Sequence, residues 1–149
     1  MVLQVIDETV TTGADPDAVY ALLADGSTWP DWSPLDAFEL LEPGAGSPEG
    51  LGAVRLFTTG RRRSRERVVT CRPGEAFAYV LEAGLPLREY RAEVTLTPSG
   101  GGTTIGWRST FLPQIPGTGW LYRRELGKFI RRTVEGLAAA AAAPSPGAS

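Results

Sequence analysis

The sequence predicts an α+β fold: a curved seven-stranded antiparallel sheet around a long C-terminal helix, with two short helices after the first strand. Three observations predict it. Residues 35–112 alternate apolar and polar with period two, and Gly/Pro turns punctuate them. From Gly119 to Ala142 the apolar residues fall instead at helical spacing. Ahead of the alternating stretch, Asp15-Pro16 places an N-cap before a first-turn proline, a helix start.

Val2–Val10 is rich in β-branched residues and suits a strand. After Asp15-Pro16, the residues Ala18, Val19, Leu22 and Leu23 keep helical spacing until Asp25-Gly26 ends the run. A second helical turn fits Thr28–Trp32, because Pro34 stops anything longer. Leu35–Glu42 is a strand, and Pro43–Gly50 is a Gly/Pro/Ser loop. Ala53–Thr59 and Arg62–Arg72 form a hairpin turning at Gly60. Pro73-Gly74 turns into Ala76–Glu82, and Ala83–Pro86 turns into Leu87–Thr97. In that strand Tyr90, Ala92, Val94 and Leu96 share one face. Ser99–Gly102 turns into Thr103–Leu112, where Ile105, Trp107, Ser109 and Phe111 share a face. Pro113–Thr118 breaks the sheet. The final helix carries Tyr122, Leu126, Phe129, Ile130, Thr133, Val134 and Leu137 on its less polar stripe. Residues 1–143 therefore read as one domain, and 144–149 as a disordered tail.

Composition narrows the function classes. The chain has 149 residues, 42% of them hydrophobic and 21% charged, with 15 Lys+Arg against 17 Asp+Glu. That balance gives no bulk electrostatic argument for nucleic acid or an anionic membrane. No histidine occurs, which excludes Ser-His-Asp and Cys-His triads within one chain. A single cysteine, Cys71, excludes an internal disulfide and a cysteine-cluster zinc site. No cofactor is expected, since neither Gly-rich nucleotide loop occurs. The N-terminus lacks a signal-peptide pattern and no run reaches the ~20 apolar residues of a membrane span, so the cytoplasm is the default location.

Geometry then predicts a cavity. Seven strands at ~4.8 Å spacing make a sheet roughly 30 Å wide, which twists and can curl. One helix, only ~10–12 Å across, cannot fill the concavity. Trp29 and Trp32 flank its mouth, either to stack on a planar ligand or to cap the core. Tyr90, Trp107 and Phe111 either line the space or plug it; Val68, Val94, Leu126, Phe129 and Ile130 are further lining candidates. Arg63, Arg65 and Arg67 alternate toward water, which turns Ser64, Glu66, Val68 and Thr70 inward. An inward Glu66 in an apolar cavity has a raised pKa and can act as acid or base. The opposing reading is an outward Glu66, or one paired with an arginine, and Val68-Val69 leaves the parity open. Tyr79 and Arg88 are second-rank polar candidates. The Arg61–Arg67 cluster reads as a solvated hairpin rather than a nucleic-acid patch, since no aromatics interleave it. Cys71 reads as a small buried or turn-adjacent residue.

The entry segment Asp15-Pro16, Asp25 and Trp29-Pro30-Asp31-Trp32-Ser33-Pro34 resembles that of the START-like, or SRPBCC, superfamily. Arg65-Glu66-Arg67-Val68-Val69, Pro73-Gly74, Gly102-Thr103-Thr104 with Trp107, and the Arg-rich last helix with Gly136-Leu137 resemble its polyketide cyclase/dehydrase-like branch. The resemblance covers about residues 2–142 and implies the helix-grip fold. It implies a small apolar or aromatic, lipid- or polyketide-like ligand, and it transfers no catalytic residue. Three functions follow: a binding protein for such a metabolite; a cyclase or dehydratase using Glu66 with Tyr79 or Arg88; or a non-catalytic partner-binding domain. The basic stripe Arg123, Arg124, Lys128, Arg131 and Arg132 could dock an acidic partner such as an acyl carrier protein.

Overall fold

The computed structural model describes residues 2–143; the tail expected at 144–149 lies outside them. The elements run β1 (Gln4–Thr12), α1 (Pro16–Leu23), a 3-10 turn (Gly26–Thr28) leading into α2 (Trp29–Trp32), β2 (Ala37–Glu42), β3 (Val54–Thr59), β4 (Arg62–Arg72), β5 (Ala76–Ala83), β6 (Leu87–Ser99), β7 (Gly102–Pro113) and α3 (Gly119–Ala142). The strands form one antiparallel sheet in the order β1-β7-β6-β5-β4-β3-β2. This is the expected helix-grip arrangement. β1 starts two residues later than its sequence suggests and runs on through Thr11 and Thr12, because Thr104 and Thr103 of β7 pair with them. Leu35 leaves the sheet and turns into the interior.

Local chemistry sets the ends of the first helix. The Asp15 carboxylate accepts from the Ala18 N–H at 2.8 Å, satisfying a first-turn donor ahead of Pro16. Asp25 repeats the device by accepting from the Ser27 N–H.

Three irregularities in the sheet decide which side chains face inward. On β4, Val68 pairs with Tyr79 but Thr70 pairs with Ala78, so Val69 is an extra residue. This bulge resolves the Val68-Val69 parity. Glu66 and Val68 face inward, but beyond the bulge Cys71 shares the face of Phe77, and Thr70 does not turn inward as strict alternation suggested. On β5, Glu82 is the extra residue opposite the Arg65–Glu66 step. On β6, Glu89 and Tyr90 together oppose Phe111, and Glu89 has φ +52°. The β6 bulge keeps Tyr90 inward while rotating Arg88 to the surface.

The interior has a solid end and a hollow end, set by the two halves of α3. From Ile130 onward it buries Ile130, Thr133, Val134 and Leu137 against the sheet, whereas Tyr122, Leu126 and Phe129 before that stay half-buried. Close approach fixes the helix: a Cβ on Gly136 would overlap the Trp32 carbonyl of α2. That contact is with backbone, so it cannot swing away. Gly136→Ala is expected to lower stability by about 1–3 kcal/mol through overpacking, despite the better helix propensity of alanine. Denaturant titration reads this directly; a stabilised variant would show that α2 and α3 do not meet this closely.

Candidate functional site

The hollow end is a cavity of about 420 Å³. Its inner wall is the row Glu66, Tyr79 and Tyr90 on β4, β5 and β6, together with Leu81 and Leu87. Leu126 and Phe129 of α3 face them, and Leu85 and Pro86 of the β5–β6 turn complete the apolar rim. Exposed Arg62, Leu121 and Glu125 mark the open end. Gln114 N–H donates to the Pro86 carbonyl at 3.2 Å, tying the β7–α3 loop to the rim.

Trp29 forms the floor, not the mouth. It is 2% exposed and faces the cavity on one side. On the other it packs against Trp32 at 4.8 Å, Phe57 at 5.0 Å and Trp107 at 5.8 Å between ring centroids. Its indole N–H donates to the Leu23 carbonyl at 3.2 Å, fixing the ring. Trp32 lies behind it, with its N–H donating to Thr28 Oγ1, and caps the core. Val68, Val94, Trp107, Phe111 and Ile130 are all buried and do not line the cavity. Aromatic rings thus plug part of the concavity and leave part of it open. Arg88 is exposed and also lies outside the cavity.

Glu66 is the only buried carboxylate among the described residues. Its Oε1 has no hydrogen-bond partner among the described residues. Burial pushes its pKa up from 4.5 to about 7, opposed by the Arg55 guanidinium, which favours the carboxylate. Burial also holds the Tyr79 hydroxyl well above the usual phenol range, helped by the neighbouring Tyr90 and Glu66. The Tyr90 hydroxyl is pushed up to about 12 by burial, while its 3.1 Å hydrogen bond with Ser109 acts the other way. Both phenols stay protonated at neutral pH and both can donate a hydrogen bond.

The residue that sequence reasoning missed is Arg55. It is fully buried, and its guanidinium carbon lies 4.8 Å from the Trp29 ring, 4.9 Å from Phe77, 5.0 Å from Phe57 and 6.0 Å from Tyr79. Arg55 donates to the Leu23 carbonyl at 3.0 Å and pairs with Glu49 at 3.3 Å. Glu49 also accepts from the Gly26 N–H at 2.7 Å, so one carboxylate joins the β2–β3 loop, the end of α1 and the core. The hairpin at Gly60 carried the signal: pairing Thr59 with Arg62 sets Arg55 opposite Glu66 and gives both the same face. By contrast Arg65 and Arg67 are half-exposed and pair with Glu42 and Glu82, as a solvated hairpin should.

The family described as polyketide cyclase / dehydrase and lipid transport matches residues 4–142. The chain belongs to this family. Its fold is that of a START superfamily protein from Mycobacterium smegmatis, at TM-score 0.80 and 12% identity over 92% of this chain and 96% of that one. Ginseng major latex-like protein 151 from Panax ginseng is similar at TM-score 0.73 and 13% identity, with 94% and 98% covered. The di-domain ARO/CYC StfQ from the steffimycin biosynthetic pathway is similar at TM-score 0.75 and 18% identity. There 94% of this chain matches 51% of the larger protein. No curated protein matches the sequence. At these identities the solved structures share the fold alone. No helix among the described residues is long and apolar enough to cross a membrane. On α3, Lys128 and Arg131 pair with Glu125 and Glu135 of the same helix, and no observation supports docking of an acyl carrier protein there.

Proposed function

We propose that the protein binds a small hydrophobic or aromatic molecule, lipid- or polyketide-like, in the cavity between α3 and the β4–β6 wall. The observation that carries this reading is the cavity itself. At about 420 Å³ it lies within the ~300–1,000 Å³ of small-molecule sites, and its lining is mostly leucine and aromatic with a few convergent polar groups. Trp29, Tyr90, Leu126 and Phe129 would contact the ligand; of the sequence candidates these keep a binding role.

Titration with the neutral fluorophore N-phenyl-1-naphthylamine tests the reading. Saturable binding near one equivalent is expected. Leu126→Trp, which fills the cavity from α3, is expected to weaken it at least about tenfold without unfolding the protein. Unsaturable binding, or binding indifferent to Leu126→Trp, overturns the proposal.

A second reading, acid–base chemistry on a polyketide-like substrate, is favoured by Glu66, a buried carboxyl facing the cavity with its pKa near neutrality beside two phenols. Turnover of such a substrate that survives Glu66→Gln intact removes that reading and leaves binding in place.

A further inference from the structure

The buried polar groups of the cavity are not scattered. Glu66, Tyr79 and Tyr90 occupy inward positions on three adjacent strands, and Ser109 on the fourth strand holds the Tyr90 hydroxyl at 3.1 Å. Opposite them α3 offers Leu126 and Phe129. A ligand in this space therefore meets one buried polar stripe, on one wall; the other polar lining residues, Thr59, Arg62, Ser64, Tyr122 and Glu125, are half-buried or exposed.

The stripe contains acceptors and neutral donors but no available cation. Glu66 Oε1 is buried without a hydrogen-bond partner among the described residues, an arrangement that costs free energy unless a ligand group supplies the bond. The Arg55 guanidinium is enclosed by four rings, tied to Leu23 and Glu49, and does not line the cavity. The arginine that does line the cavity, Arg62, is exposed at the open end. A carboxylate head driven to the inner wall would lose its hydration, meet Glu66 and find no counter-charge. A hydroxyl can donate to Glu66 and accept from Tyr79, and a carbonyl can accept from Tyr79.

We propose that Glu66, Tyr79 and Tyr90 form a selectivity subsite that fixes a neutral oxygen, a phenol, alcohol or ketone, on an otherwise apolar ring ligand and rejects carboxylate-headed ligands. The proposal rests on the cavity-binding reading and deepens it by naming the ligand class. Ionisation of Glu66 strengthens the rejection of anions. Burial and Arg55 on β3 govern its ionisation; the other titratable or charged groups at the cavity are Tyr79 on β5, Tyr90 on β6, Tyr122 and Glu125 on α3, and Arg62 on its own strand.

A matched series tests it: phenanthrene, 9-hydroxyphenanthrene and phenanthrene-9-carboxylate, each displacing N-phenyl-1-naphthylamine at about pH 7.5. The phenol is expected to bind about tenfold tighter than the hydrocarbon, one good buried hydrogen bond, and the carboxylate at least about tenfold weaker. Glu66→Leu is expected to bring phenol and hydrocarbon within about twofold of each other. Glu66→Gln keeps a donor and an acceptor, so it retains the phenol preference while admitting the carboxylate, a change that general damage to the fold would not produce. Tyr79→Phe, which keeps the ring, gives a second measure if Glu66→Leu does not fold, and is expected to weaken the phenol alone. Equal affinity for phenol and hydrocarbon, or tightest binding of the carboxylate, overturns the subsite. If the fluorophore binds and none of the series does, the subsite fails and the cavity reading stands; if the fluorophore also fails, both fall.

Discussion

Arg55→Ala is expected to cost about 3–5 kcal/mol of folding stability, the loss typical of breaking a buried charged pair from one side. The substitution empties the space between Trp29, Phe57, Phe77 and Tyr79. It also strips a donor from the Leu23 carbonyl and leaves Glu49, 13% exposed, without its cation. Two nitrogens of Arg55, Nε and Nη2, have no hydrogen-bond partner among the described residues, so the ring faces are what compensates their desolvation. Arg55→Met restores much of the volume without the charge and is expected to recover part of the loss. Because the guanidinium favours the Glu66 carboxylate, Arg55→Met is also expected to move the Glu66 titration above about 7. Urea unfolding of the three proteins checks the first point. An Arg55→Ala variant within about 1 kcal/mol of wild type would show that the buried cation is dispensable.

The second large effect is a fall in stability with rising pH, carried by Glu66. Below pH 4.5 its carboxyl is protonated in both folded and unfolded chains and contributes nothing. Between 4.5 and about 7 the unfolded chain releases the proton while the folded one retains it, so folding weakens as pH rises. Above about 7 the whole difference stands, ~3 kcal/mol at 1.36 kcal/mol per pH unit. Glu66→Gln removes this contribution. Its stability advantage over wild type is expected to grow by about that amount between pH 4.5 and 8, with the steepest change below neutrality. Comparing the two proteins cancels surface carboxylates such as Glu82, whose pKa is lowered by its hydrogen bond to Arg67 and which act in the opposite direction. A constant difference across this range would mean that Glu66 is solvated and not facing an apolar interior.

These two residues also mark the limit of what the sequence disclosed. The α3 boundaries Gly119 and Ala142 were legible because Pro113–Thr118 breaks the sheet and the alanine run extends the helix. The inward faces of β6 and β7 were legible because each alternates apolar and polar over many residues. The bulges at Val69 and Glu89 were not, since an extra residue shows only against the register of the partner strand. That is why Arg88, in parity with Tyr90, was expected in the site and is outside it. Arg55 was hidden for a different reason. A charged residue in a hairpin reads as exposed, and only the cage formed by α1, α2, β3 and β5 makes its burial tolerable. The division into solid and hollow ends was likewise illegible, because it depends on where Trp29 lodges, and Trp29 is held there by the Leu23 carbonyl and the rings behind it.

The measurement that bears most directly on the binding function is a backbone amide map of the 15N-labelled protein during titration with N-phenyl-1-naphthylamine. Shifts that saturate near one equivalent and are largest at Glu66, Tyr79, Leu87, Tyr90, Leu126 and Phe129 are the expected result. Shifts confined to the exposed Val2, Ile115 and Trp120 surface, or no saturating shifts at all, would contradict it.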